Sequence, residues 1–208
     1  MRIHSWQADL ILLAVTAVWG ATFPMVKNAT NLAVGGVPTY WFLAVRFVMA
    51  TALLGLVFRR RLRGLPASTW WAGILLGAFL FAGYAFQTFG LAYTTSAKAA
   101  FITGLSMIVV PVLSVIWLRQ PPSPGAWLGV VTALAGLALL SLDDSLVPSQ
   151  GDLLVLMGAV AFGLQVAGVS RFAGRHDPIA LAVIQLGTSG VLEHQQVALG
   201  GHQAVVQG

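Results

Sequence analysis

The sequence predicts an all-α fold, a polytopic bundle of six or seven transmembrane helices. Its 208 residues are 58% hydrophobic and only 8% charged, whereas soluble domains carry about 25% charged residues. The apolar residues fall into repeated runs close to membrane length, and short polar links separate these runs. Eleven basic and six acidic residues cannot cover a soluble protein of this size, so lipid must contact much of the outer surface.

Each predicted helix is an apolar run bounded by proline, glycine or charge. A helix needs about 20 mostly apolar residues to cross a bilayer, and shorter runs require tilt or local thinning. The first run continues through Pro24 without a small-x-small cleavage box, which indicates a retained helix rather than a signal peptide. The seventh run is short and contains Gln185. The seven runs are residues 10–26, 38–58, 70–92, 99–118, 126–142, 153–169 and 179–192.

The positions of the basic residues predict the orientation. With a cytoplasmic N-terminus, the inner segments hold eight arginines and the outer segments hold two lysines, as the positive-inside rule requires. The inner set is Arg2, Arg59, Arg60, Arg61, Arg63, Arg119, Arg171 and Arg175, and the outer set is Lys27 and Lys98. The acidic pair Asp143-Asp144 is then outside. We expect a multi-pass protein of the plasma (cell inner) membrane, with membrane lipid as a partner. The arginine cluster at 59–63 is expected to set the orientation, and binding of anionic lipid headgroups is the alternative.

A weak internal repeat divides the chain after its fifth run. Asp9 precedes Trp19-Gly20 by ten residues, and Asp152 precedes Phe162-Gly163 by the same interval. Five predicted helices separate the two starts, and an odd number reverses the membrane sense of the second copy. The predicted organisation is a first five-helix repeat at 1–145, the start of an inverted second repeat with about two helices at 151–192, and an unrelated polar tail at 193–208.

Arg46 is the one charge within an apolar run. A charge near a helix centre costs at least ~2.5 kcal/mol on insertion scales, so a neighbouring group must offset it. One interpretation is an anion or carboxylate site that faces a central cavity. The other is a buried arginine that bonds backbone carbonyls or extends toward Arg59–Arg63.

Seven uncharged side chains in the runs join Arg46 as candidates for a substrate pathway. Those of the first run lie within a turn and a half, beside the carbonyl that Pro24 leaves without its helical partner. The others are hydrogen-bonding groups at membrane depth, which should face the bundle rather than lipid. Ordinary helix packing is the alternative for each of them. The full candidate set is Trp19, Thr22, Phe23, Arg46, Tyr84, Gln87, Thr88 and Gln165.

Several segments together resemble the EamA-type branch of the drug/metabolite transporter superfamily. They are residues 19–23, Arg46-Phe47 with Ala50, residues 92–101, Pro111-Val112 and residues 124–129. The resemblance implies a carrier or exporter of small solutes with ten helices in two inverted halves of five. This chain departs from the pattern at Gln120, where many members carry glutamate, and in lacking the last three helices.

The expected function is secondary-active transport or export of small metabolites, such as amino acids and amphipathic solutes, by alternating access. The alternatives are a non-transporting membrane assembly or interaction subunit, and an inactive truncated transporter fragment. A homo-oligomer or a partner chain that completes the second repeat would fit either case.

Other function classes are not expected. The sequence has no cysteine and no phosphate-binding Gly-x-x-x-x-Gly-Lys-Ser/Thr loop, and no histidine, aspartate or glutamate falls within the seven runs. We therefore expect no enzyme activity, no catalytic residue, no cofactor and no metal. The net charge of +5 lies mostly between the runs rather than on one polar face, so nucleic acid is not an expected partner.

Overall fold

The computed structural model describes residues 5–31, 35–113, 124–141 and 149–206. Over these residues the chain forms eight helices and no strand, so the predicted all-α membrane bundle is confirmed. Arg2, Arg119, Gln120 and Asp143-Asp144 lie outside the described residues. The helices are α1 (Ser5–Ala29), α2 (Thr39–Val57), α3 (Ala67–Leu91), α4 (Ser96–Gly104), α5 (Ser106–Leu113), α6 (Pro124–Ser141), α7 (Gln150–Phe172) and α8 (Pro178–Val206).

Within the described ranges, three helices are long and apolar enough to cross a membrane by length and composition. They are α2 with 19 residues, α3 with 25 and α7 with 23, and they contain most of the second, third and sixth predicted runs. The first and fifth predicted runs fall largely within α1 and α6.

The fourth predicted run is not one continuous helix. Helix α4 ends at Gly104, and α5 begins at Ser106. At Leu105 the backbone N–H donates to the Ile102 carbonyl at 3.0 Å, which is the tighter i to i−3 pattern that interrupts an α-helix. Pro111 removes a further backbone donor inside α5. Both α4 and α5 pack against α7, so the interruption lies within the part of the chain that contacts this helix.

The helix that contains the seventh predicted run does not end at Leu192, where that run ends. It continues as α8 to Val206, because residues 193–206 contain no proline and are mostly glutamine, alanine, valine and other residues that an α-helix accommodates. Glu193 belongs to the bundle rather than to a separate polar tail, since its side chain is 0% exposed. Glu193 lies one residue after the seventh predicted run, in the part of α8 that continues beyond that run.

Helix α3 is the centre of the bundle, between α7 and α8. Gly90 of α3 lies against Gly151 of α7, and Gly83 lies against Phe162 further along, so the two helices run antiparallel. A Cβ atom added to Gly90 would be 2.7 Å from the Gly151 carbonyl oxygen. Such a close contact requires glycine at the crossing. In membrane proteins generally, small residues allow two helix backbones to approach each other closely.

At one end of the bundle, Thr94 connects α1 with α7. Its carbonyl accepts a hydrogen bond from Lys27 Nζ at 2.5 Å, and its hydroxyl donates to Asp152 Oδ1 at 2.5 Å. Asp152 also forms a capping box with Ser149 at the start of α7, which satisfies free backbone donors there. Sequence analysis predicts that this end faces outward.

At the opposite end, the link between α2 and α3 contacts the link between α7 and α8. The Arg61 guanidinium donates to Asp177 Oδ2 at 2.9 Å. Asp177 also accepts from the backbone N–H groups of Ile179 and Ala180 at the start of α8. Loss of hydration raises the pKa of Asp177, but the Ala180 N–H, the Arg61 guanidinium and the Ile179 N–H lower it by more, so this pKa lies below its ordinary value.

Candidate functional site

Helix α1 supplies an aromatic pair and a hydroxyl. The rings of Trp19 and Phe23 pack edge to face with centroids 5.7 Å apart, and Phe23 is buried. The Thr22 hydroxyl donates to the Trp19 carbonyl at 2.6 Å. Its oxygen keeps lone pairs that can accept a hydrogen bond. Pro24 in the same turn has no N–H to donate to the Gly20 carbonyl.

Arg46 of α2 lies against aromatic rings. Its guanidinium carbon is 5.0 Å from the centroid of the Tyr84 ring and 5.9 Å from that of Phe47. Tyr84 in turn packs edge to face against Phe47 and Phe162. Among the described residues Arg46 forms neither an ion pair nor a hydrogen bond to a backbone carbonyl, so its charge is not neutralised by a carboxylate.

Helix α3 supplies two buried polar side chains. Gln87 Nε2 donates to the Thr103 hydroxyl of α4 at 2.9 Å, and Gln87 is 7% exposed. Thr88 follows it and is 3% exposed. The contact between Gln87 and Thr103 fixes the amide and ties α3 to α4, as hydrogen bonds between membrane helices do.

Seven of the eight candidate residues surround one narrow cleft between α1, α2 and α3. The cleft has a volume of about 10 Å³, which is about the space of a single water molecule. Arg46 provides the charge among its lining residues, beside hydroxyl, amide and aromatic groups. The lining is Trp19, Thr22, Phe23, Val26, Arg46, Tyr84, Gln87, Thr88 and Leu91.

Gln165, the eighth candidate, is not part of this cleft. Its Nε2 donates to Gln185 Oε1 at 2.8 Å, which joins α7 to α8. A side-chain amide pair of this kind satisfies polar groups between helices, so the described contact of Gln165 is a packing contact.

Sequence reasoning missed several residues at or near the site. Val26 and Leu91 line the cleft, and each lies three or four residues after a polar or aromatic candidate, on the same helix face. Thr103 was missed because the sequence of its apolar run does not indicate that its hydroxyl contacts Gln87. Glu193 was missed because the apolar run ends before it, although Ser189 lies one turn earlier on the same face.

The Arg46 guanidinium in the cleft lining can pair with a carboxylate or another anionic group. A guanidinium presents up to five donors in a planar fork that matches a carboxylate, and the faces of the Tyr84 and Phe47 rings hold it without supplying an acceptor.

Within the part of the chain that the structure describes, no group of three or more histidine, aspartate or glutamate side chains could hold a metal ion.

The helical bundle, with a polar cleft between its first three helices, has the architecture of a multi-pass membrane protein. Comparison with known families makes the assignment specific, because the EamA-like transporter family matches residues 6–142. The chain belongs to this family, and the predicted resemblance is confirmed.

Curated relatives agree with the family. An uncharacterized transporter of Archaeoglobus fulgidus is 34% identical over 178 residues, which are 86% of this chain and 54% of that protein. The uncharacterized transporter YvbV of Bacillus subtilis is 26% identical over 189 residues, 89% of this chain and 61% of that protein. Solute carrier family 35 member F6 of Mus musculus is 26% identical over 94 residues, 40% of this chain and 25% of that protein. No solved structure matches the chain significantly.

The chain spans between half and two thirds of the length of the two microbial relatives above.

Proposed function

We propose that this protein is a secondary-active carrier of small metabolites that bear a carboxylate, such as amino acids and amphipathic acids. It would work by alternating access in the plasma membrane, with its N-terminus in the cytoplasm. Membership of the EamA-like transporter family supports transport as the activity. The observation that supports the substrate class is Arg46, a positive charge that has no carboxylate partner within the described ranges and that lines a cleft of hydroxyl, amide and aromatic groups.

The size of the cleft supports a closed state of such a carrier. At about 10 Å³ it has no room for an amino acid, so a solute would enter only after helices separate. Helix α1 is the natural moving element, because most of its side chains from Leu13 to Ala21 are exposed. The contact of Lys27 with the Thr94 carbonyl would hold α1 closed at the outer end.

An enclosed transport pathway requires two halves. An inverted-repeat carrier holds its solute between them. We propose that the solute lies between two such halves, in a homo-oligomer or in a complex with a partner chain. A non-transporting assembly subunit and an inactive fragment of a transporter are the alternatives to this proposal.

Uptake into liposomes tests the proposal. The purified 208-residue chain would be reconstituted and offered radiolabelled amino acids, amphipathic acids and amphipathic amines without a carboxylate. We expect uptake of one or more acids and no uptake of the amines. Arg46→Ala should abolish this uptake, whereas Arg60→Ala, a matched loss of charge in the link between α2 and α3, should leave it unchanged.

Uptake of amines alone, or equal uptake by the wild type and Arg46→Ala, would show that Arg46 does not select the solute. A complete lack of flux for every solute would instead favour the assembly subunit or the inactive fragment. Crosslinking of the reconstituted chain would then separate these two alternatives, because a subunit should be recovered in a defined complex.

A further inference from the structure

A second polar site lies on α8, away from the residues that line the cleft. Glu193 is 0% exposed, and neither of its carboxyl oxygens has a hydrogen-bond partner among the described residues. Ser189 is also 0% exposed, and its hydroxyl is likewise without a partner there. Residues four apart occupy the same helix face, so the buried carboxyl and the buried hydroxyl lie on one face of α8, one turn apart.

Helices α2 and α3 pack against α8 close to these two residues. Gly190 lies against Phe47 and Gly187 against Thr51, so α8 runs antiparallel to α2 with little space between them. Gly77 of α3 lies against Thr188 on the other side. Glu193 follows Gly190, the last of these contacts, by three residues, which is less than one helical turn.

Few titratable groups face Glu193 from the helices packed against α8. On α2, the Tyr40 hydroxyl is within electrostatic range of the carboxyl, and the Arg46 guanidinium is directed at the Tyr84 ring of α3 instead. Tyr84 is the titratable residue of α3. On α8 itself, His194 is exposed. No described cation forms an ion pair with Glu193.

Burial of this kind favours one protonation state. An ionised carboxylate without a hydrogen bond or counter-ion is very costly in an apolar interior, whereas the neutral acid is much less so. The neutral acid also has a donor, and the Ser189 hydroxyl, one turn away on the same face, is a group that can accept a hydrogen bond. Three oxygens would be too few for a hard cation such as Ca²⁺, which takes six to eight.

We propose that Glu193 is the proton-binding residue that couples solute movement to the proton gradient. This inference rests on the proposed carrier function and names its coupling ion. In the closed conformation Glu193 holds its proton between α2 and α8. When α8 separates from α2, water reaches the carboxyl, the O–H bond breaks, water takes the proton and the electron pair stays on the carboxylate oxygen. Reprotonation from the other side returns the residue to the buried state.

Infrared spectroscopy tests proton binding without any solute. The full chain in liposomes should show the carbonyl band of a protonated carboxylic acid in an apolar environment at neutral pH. Glu193→Gln should lack this band, and Asp177→Asn, which alters an acid in a link between helices, should retain it. Absence of the band from the wild type, or its persistence in Glu193→Gln, would overturn the proposal whether or not the protein transports anything.

Stability distinguishes a functional acid from a structural one. Because the Glu193 carboxyl has no hydrogen-bond partner among the described residues, Glu193→Gln and Glu193→Met should melt at the same temperature as the wild type or higher. A clear fall in melting temperature for both variants would assign Glu193 a structural role and contradict the proposal.

Flux measurements test the coupling itself. A pH gradient of about one unit is a tenfold ratio of proton activity, so wild-type uptake of a transported acid should rise by up to about tenfold when the gradient is imposed. Glu193→Gln should show no dependence on the gradient. If solute moves at the same rate with and without the gradient in the wild type, the carrier proposal survives and the coupling proposal fails. If no solute moves, the carrier proposal fails while the infrared result still decides proton binding.

Discussion

The Arg46 guanidinium carbon lies 5.0 Å from the centroid of the Tyr84 ring. The face of an aromatic ring attracts a cation by about 0.5–2 kcal/mol, which stabilises the arginine at membrane depth without neutralising it. A carboxylate partner would have used the same donors. The pairing with Tyr84 therefore leaves the charge available to a ligand in the cleft.

Substitution of Arg46 should separate charge from packing. In Arg46→Ala we expect transport to fall by at least about tenfold, the equivalent of ~1.4 kcal/mol, while the amount of inserted protein stays the same. Arg46→Lys should retain more activity, because the charge remains although the planar fork is lost. Uptake per mole of reconstituted protein is the measurement. An equal loss of inserted protein in both variants would favour a purely structural arginine.

The hydrogen bond between Gln87 and Thr103 should stabilise the fold modestly. Thr103 is 0% exposed, and its hydroxyl accepts from the Gln87 amide at 2.9 Å. Thr103→Val should lower the unfolding free energy by about 0.6–2 kcal/mol, since interhelical hydrogen bonds in membranes contribute about that much. The double variant Gln87→Leu/Thr103→Val should recover part of the loss, because no buried amide is left without a partner. Unfolding in mixed micelles measures both, and purely additive losses would contradict the contact.

The crossing of α3 and α7 should not tolerate a side chain at Gly90. A Cβ atom there would meet the Gly151 carbonyl oxygen at 2.7 Å, and backbone cannot move aside cheaply, so Gly90→Ala should cost about 1–3 kcal/mol. Gly129 of α6 is the matched control, because its Cβ would have nothing within 4 Å. Gly129→Ala should be neutral or stabilise by up to about 1 kcal/mol. Equal melting temperatures for the two variants would show that the helices are not in close contact at Gly90.

The sequence predicts the membrane class and the helix positions well, because the length of an apolar run indicates whether lipid surrounds the helix. It predicts helix interruptions and ends less well. The break at Leu105 depends on a local change in hydrogen bonding, and α8 passes Leu192 because helix propensity does not require an apolar side chain.

The candidate site shows a similar division. Seven of the eight candidates lie around one cleft, because polar groups in apolar runs must face the bundle interior. Their roles in transport stay predictions. Gln165 is directed at Gln185 instead, and Glu193 became apparent only from its burial. The contact of Gln165 and the burial of Glu193 cannot be predicted without knowing which helices are neighbours, since the type of one residue does not specify its partner.

Acid should weaken the contact between Arg61 and Asp177. The pKa of Asp177 is lower in the folded protein than its ordinary value, so its contribution to stability is present above that ordinary value and is lost as the pH falls through the folded pKa. Asp177→Asn keeps an acceptor for the Ile179 and Ala180 N–H groups but has no proton to gain. The variant should lose less stability than the wild type between pH ~5 and ~2. Melting curves across this range provide the measurement, and identical acid dependence in both proteins would show that Asp177 is not the responsible group.

The orientation in the membrane should follow the distribution of basic residues, with the link that contains Arg60 inside and the link that contains Tyr93 outside. The chain has no cysteine, so Arg60→Cys and Tyr93→Cys each introduce a single thiol. Tyr93 is 66% exposed, and Arg60 is also exposed, so a maleimide can reach either thiol from its own side. In intact cells, an impermeant maleimide should label Tyr93→Cys and leave Arg60→Cys unlabelled until the cells are permeabilised. Permeabilised cells serve as the control for thiol reactivity, because both variants should then be labelled. Labelling of Arg60→Cys alone in intact cells would invert the topology, and it would place the contact of Lys27 with Thr94 on the cytoplasmic side.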